Sequence, residues 1–80
     1  MPRYAKNSQL SPGEIGEKAV SYFGPGGVGL EITEMARWLI RFQGGGGHVL
    51  IESTEKEDST EVEIVTREWD YHVKEFMKTL

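Results

Sequence analysis

The sequence predicts an α+β domain: an N-terminal helix, a three- to four-stranded antiparallel meander and a C-terminal helix, with both helices on one face of the sheet. Three observations predict it. Residues 36–67 hold three runs of alternating apolar and polar residues separated by turn-forming stretches. Residues 11–24 open on a capping box and close on Gly24-Pro25. Residues 66–80 carry an apolar stripe at helical spacing.

The chain begins with Met1–Leu10, which has no apolar periodicity and contains Arg3, Lys6, Asn7, Ser8 and Gln9. This composition predicts a flexible arm over residues 1–10, ahead of a single domain over 11–80. Ser11-Pro12-Gly13-Glu14 then supplies an N-cap serine, a proline at the first helical position and a glutamate able to reach back to the cap. Ile15, Ala19, Tyr22 and Phe23 follow on one helical face, and Glu14 precedes Lys18 in the favourable order for a helix-surface ion pair.

Residues 24–29, GPGGVG, are a glycine-rich loop. Such a loop cradles an anion when its backbone N–H groups converge, so anion or small-ligand binding is one reading. Gly24, Gly26 and Gly29 fit the spacing of a dinucleotide fingerprint, but they follow a helix and precede a strand, the reverse of what that motif requires. The alternative is a tight helix-to-strand connection, and it is the one we expect.

Val28, Leu30 and Ile32 share a parity and predict a first strand, with Glu34-Met35 as the link to the next. In the following run Trp38, Ile40 and Phe42 share one face, and Arg37, Leu39, Arg41 and Gln43 the other. Ile32, Met35, Ala36, Leu39 and Ile40 also fall at helical spacing, so residues 33–43 read as a helix too. The strand is preferred because the remaining residues 48–66 alone would make only a two-stranded hairpin, which is marginal. Pairing Phe42 with Val49 and Ile40 with Ile51 closes a loop at Gly44–Gly47, expected to be mobile. Pairing Val49 with Ile64 and Ile51 with Val62 leaves Glu55–Asp58 as the next loop. In the last segment Trp69, Val73, Phe76, Met77 and Leu80 form the stripe, and Lys74 and Lys78 suit the helix C-terminus.

Composition bounds the function. There is no cysteine, which removes disulfides, thiolate nucleophiles and cysteine-ligated metals. Thirteen acids against nine bases give a net charge of −4, a poor balance for a protein built around a phosphate backbone. No apolar run approaches a membrane span and no apolar segment follows the basic start, so a cytoplasmic protein is expected. His48 and His72 have no partners at metalloprotease spacing, and the serines lack a nucleophile-elbow context. The acids between Glu52 and Glu63 do not follow a calcium-loop pattern. No cofactor is implied, and an enzyme is the less favoured class.

The leading expectation is a non-catalytic interaction or self-assembling module that uses the sheet face left open by the helices. Arg37, Leu39, Arg41, His48, Leu50 and Val65 are its candidate contact residues: a small apolar patch rimmed by charge, suited to a protein partner or a homodimer. A nucleic-acid-binding domain using Arg3, Lys6, Arg37 and Arg41 is the second expectation, disfavoured by the net charge.

Overall fold

A computed structural model describes residues 2–80. The elements run β1 (Arg3–Ser8), α1 (Pro12–Phe23), β2 (Glu31–Ala36), β3 (Leu39–Gly44), β4 (Gly47–Glu55), β5 (Thr60–Arg67) and α2 (Asp70–Met77). The strands form one five-stranded antiparallel sheet in the order β1-β5-β4-β3-β2. The fold is therefore α+β, a four-stranded meander flanked by helices, with β1 added beside the last strand.

Helix α1 starts as its sequence dictates. Glu14 N–H donates to Ser11 Oγ at 3.2 Å, and Ser11 N–H donates to Glu14 Oε1 at 3.0 Å. The Ser11 backbone N–H, and after it the Ser11 hydroxyl, hold the Glu14 carboxyl below the usual carboxylate range. The core is one cluster. Ile15, Ala19 and Phe23 of α1 and Val73 and Phe76 of α2 meet Ile40, Phe42, Val49, Ile51, Val62 and Ile64 of the sheet, with Leu30. Phe23 is its hub, with ring centroids 5.5 Å from Phe42 and 5.2 Å from Phe76. Hydroxyls close the ends of the inward rows: Thr66 Oγ1 is buried and donates to the His48 carbonyl at 2.8 Å.

Four expectations are corrected. Residues 3–8, expected as part of a flexible arm, are an edge strand paired from Arg3↔Val65 to Ser8↔Thr60; Met1 lies outside the described residues. This strand has no apolar alternation because its inward side chains reach α2 by their polar ends. Tyr4 Oη donates to Asp70 Oδ2 at 2.7 Å, Lys6 Nζ to the Met77 carbonyl at 2.9 Å and Ser8 Oγ to the Leu80 carbonyl at 3.3 Å.

The first meander strand is Glu31–Ala36, not Val28–Ile32, and its link to β3 is Arg37-Trp38, not Glu34-Met35. Val28 and Leu30 N–H groups donate to Tyr22 and Phe23 carbonyls at 2.7 and 2.8 Å, so this stretch closes the C-terminus of α1 instead of joining the sheet. Trp38, placed by alternation beside Ile40 and Phe42, is thereby in the turn and is 52% exposed.

The β3–β4 register is as expected, with Phe42↔Val49 and Ile40↔Ile51, but the loop is tighter than Gly44–Gly47. Gly44 pairs with Gly47, and Gly45 and Gly46 make the turn at φ +59° and +79°, both in the left-handed region.

The β4–β5 register is shifted by two residues from the expected one. Ile51 faces Ile64, Val49 faces Thr66 and Ser53 faces Val62. A slip of two preserves every side chain's face, so alternation cannot detect it. The turn decides it: Lys56 N–H donates to the Ser59 carbonyl at 2.7 Å.

Candidate functional site

The sheet face opposite the core carries most of the residues singled out in the sequence. Cross-strand register brings Arg3, Val65, Leu50, Arg41 and Glu34 into one row, and Ala5, Glu63, Glu52, Leu39 and Ala36 into the next. Leu39, Leu50 and Val65 are adjacent or diagonal neighbours, as expected, and His48 lies one row beyond Leu50. All four are half-buried. Arg41 is exposed on this face, with Nε 3.8 Å from Glu34 Oε1. Arg3 Nη1 holds Glu63 Oε2 at 2.8 Å. Arg37 does not join this group. It sits in the β2–β3 turn, with Nη2 3.8 Å from Glu55 Oε1 and its guanidinium 5.4 Å from the Trp38 ring centroid.

The glycine-rich loop 24–29 uses its donors internally. Gly27 and Gly29 N–H groups both donate to the Gly24 carbonyl at 3.0 Å, alongside the Val28 and Leu30 bonds already described. The loop also follows the C-terminal end of α1, where the helix dipole is negative and repels an anion. Gly27 is required there because a Cβ would fall 2.2 Å from the Tyr22 carbonyl oxygen.

Neither histidine stands in a catalytic constellation. His72 lies in an aromatic nest, with Nδ1 3.4 Å from Tyr22 Oη and its ring 5.7 Å from Trp69 and 5.3 Å from Tyr71. Burial pushes the Tyr22 hydroxyl pKa up, with the Glu75 carboxylate adding to the effect. Asp70 turns away from His72 to Tyr4, as two residues apart on a helix must. Among the described residues no three His, Asp or Glu side chains converge as metal ligands, and no helix is long and apolar enough to cross a membrane.

One concave feature was not visible in the sequence. A groove of about 650 Å³ runs between the first turns of α1 and the outer hairpin β2–β3. Pro12, Gly13, Gly16 and Val20 form one wall, Met35 and Ala36 the other, and Ile40 the floor. Glu17 stands on the helix wall and Arg37 on the hairpin wall. Two features of sequence shape it. The register shift between Ile32 and Glu34 is a β-bulge at Thr33 that brings Met35, opposite Ile40, onto the same side as Ile32, opposite Phe42. Helix α1 carries glycine at 13 and 16, which leaves the wall low. A Cβ at Gly16 would meet only Ile40 Cδ1 at 3.4 Å, and one at Gly13 only Ser11 Oγ at 3.9 Å, so neither glycine is imposed by a backbone clash. Each costs about 1 kcal/mol of helix propensity relative to alanine. Helical glycines that the packing does not demand, placed along one groove, are the signal by which a sequence reading would find this site.

Three large hydrophobic side chains are exposed: Met35 in the groove wall, Trp38 next to Arg37 in the hairpin turn, and Tyr71 on α2 at 69%. Met35 is 57% and Trp38 52% exposed. No protein-family model, no curated protein and no solved structure matches the chain.

Proposed function

We propose that this domain is a non-catalytic interaction module that docks through the groove between α1 and the β2–β3 hairpin, with Met35 and Trp38 as its anchors. One observation carries the reading: an apolar groove is lined by the exposed Met35 and by Arg37, whose neighbour in the hairpin turn is the exposed Trp38. Tryptophan and methionine are the residue types enriched where partners bury surface, and tryptophan dominates the energetics when it fills a pocket.

With both helices on one side of the sheet, the opposite face is the competing surface. Its apolar residues Leu39, Leu50 and Val65 are half-buried and interrupted by charges already paired across strands. That is the pattern of a solvated antiparallel face more than of a docking core. A nucleic-acid role has less support. Arg3, Arg37 and Arg41 lie beside Glu63, Glu55 and Glu34, so a phosphate backbone would meet cations set among carboxylates.

The test is a pair of double variants. Met35→Asp/Trp38→Asp charges the groove rim, and Leu39→Asp/Leu50→Asp charges the open face. The readout is association of any kind: retention of binding proteins from source-cell extract by the immobilised domain, and self-association in light scattering. The expected result is loss of association in the first variant only, with circular dichroism unchanged. Loss in the second variant only moves the site to the open face, and no loss in either overturns the interaction reading.

A further inference from the structure

We infer that the partner at this groove is a second copy of the chain, docked about a two-fold axis so that Trp38 of each protomer enters the groove of the other. The inference rests on the groove reading above and goes on to name its occupant. A two-fold contact requires one patch to be complementary to itself: where residue i meets residue j, residue j meets residue i. This patch holds both halves of such a contact. It carries an exposed indole, Trp38 at the hairpin tip, and, reached by the preceding Arg37, a hollow walled by Met35, floored by Ile40 and lowered at Gly13 and Gly16.

The rim charges make the same pairing. Glu17 lies on the helix wall and Arg37 on the hairpin wall of one groove. When the hairpin tip of one copy enters the groove of the other, Arg37 travels with the adjacent Trp38 and arrives at the opposing helix wall. Each Arg37 then faces the partner copy's Glu17, and the contact contains two equivalent ion pairs with no charge left over. A partner of any other sequence would have to supply both an acid and a base at matching positions. Arg37 is free to make the exchange. Its 3.8 Å approach to Glu55 joins two side chains that are 62% and 56% exposed, a pair held only weakly.

The neighbouring edge strand does not offer an easier route. β2 is an outer strand of the sheet, but the bulge at Thr33 and the exposed Glu31 and Glu34 blunt its free edge against strand addition. The contact is therefore made by side chains over the groove and not by extending the sheet.

The experiment is light scattering and sedimentation equilibrium of the purified chain over a concentration series, on wild type and a charge-swap set. Wild type is expected to pass from monomer to dimer mass as concentration rises. Glu17→Arg and Arg37→Glu alone should each weaken the dimer by about tenfold or more, since each places like charges together twice. The double swap, Glu17→Arg with Arg37→Glu, should restore wild-type dimerisation, and Leu39→Asp/Leu50→Asp should leave it unchanged. Monomer mass throughout the series, or a double swap that fails to recover while circular dichroism stays native, overturns the second-copy assignment. The two readings fail separately. A strictly monomeric wild type that still loses an extract partner through Met35→Asp/Trp38→Asp overturns self-docking and leaves the groove as the site.

Discussion

The two tryptophans of this chain are put to opposite uses. Trp69, at the start of α2, lies against the β3–β4 turn: its Nε1–H donates to the Gly44 carbonyl at 2.9 Å, and a Cβ at Gly45 would sit 2.6 Å from its ring. Trp38, at the tip of the β2–β3 hairpin, is half in solvent, with the Arg37 guanidinium 5.4 Å from its ring centroid. One indole ties a helix to a glycine turn; the other stands half in solvent at a hairpin tip. The difference teaches where to look for function in a small domain. A large side chain that closes a fold has its polar atom satisfied and its ring packed, and one that does neither is available for something else.

The largest effect that sharpens this contrast is truncation of each indole. Trp69→Ala should cost about 3 kcal/mol of stability, because it opens a void over the turn and strands the Gly44 carbonyl. Trp38→Ala should change stability by no more than about 0.5 kcal/mol, as for other surface sites without a structural task. Urea denaturation followed by circular dichroism decides it. Equal costs for the two would mean that Trp38 is part of the folding unit, and its role as a docking anchor would lose its basis.

A finer cut separates the turn from its cover. Gly45 and Gly46 both have positive φ, but only Gly45 touches Trp69; nothing lies within 4 Å of a Cβ built on Gly46. Gly46→Ala therefore reports left-handed backbone strain alone, about 1 kcal/mol. Gly45→Ala adds an overlap with the indole and should cost about 1 kcal/mol more. If the two variants melt alike, Trp69 yields easily and the lid over the turn is loose.

The same contrast explains what the sequence made legible. Helix α1 was readable because the cap residues Ser11 and Glu14 act within a few positions of each other. The β3–β4 pairing was readable because Ile40, Phe42, Val49 and Ile51 satisfy a single register. Strand β2 was hidden by its bulge. At Thr33 the alternation breaks, so Ile32 and Met35 share a side at a spacing of three, which resembles a helix period. Trp38 was misplaced by the same break, since alternation assumes an unbroken strand. Strand β1 was hidden because the inward residues Tyr4, Lys6 and Ser8 bond through polar atoms to α2 and to Leu80 just beyond it. The groove was invisible because it is a gap between elements distant in sequence, and its only local trace is Gly13 and Gly16 on α1. The residues Leu39, Leu50 and Val65 share the open face because a two-residue slip between β4 and β5 leaves every side chain's face unchanged, whereas Arg37 left that group when the turn moved.

The smallest expected effect lies one residue beyond Trp69. Asp70 accepts the Tyr4 hydroxyl and so ties β1 to the start of α2, while Trp69 ties that start to the glycine turn. The bond to Asp70 raises the Tyr4 pKa above its ordinary value of 10.0, helped by burial and by the Asp70 charge. The sign follows from linkage. A group whose folded pKa lies above its unfolded one contributes fully below the unfolded value and loses that contribution as pH rises through the folded value. Wild type should therefore exceed Tyr4→Phe in stability by a small and constant margin from neutral pH up to about 10, and the margin should vanish in more alkaline solution. Taking the difference between the two proteins cancels the other titrating groups, Tyr22 included. Asp70→Asn is the control: it removes the carboxylate and brings the folded Tyr4 pKa back toward the unfolded one, so the stability margin between that background and its Tyr4→Phe derivative should fall by less over the alkaline range. A margin that stays flat through the alkaline range would show that Tyr4 holds β1 by its ring alone, and that the link from β1 to the start of α2 does not run through Asp70.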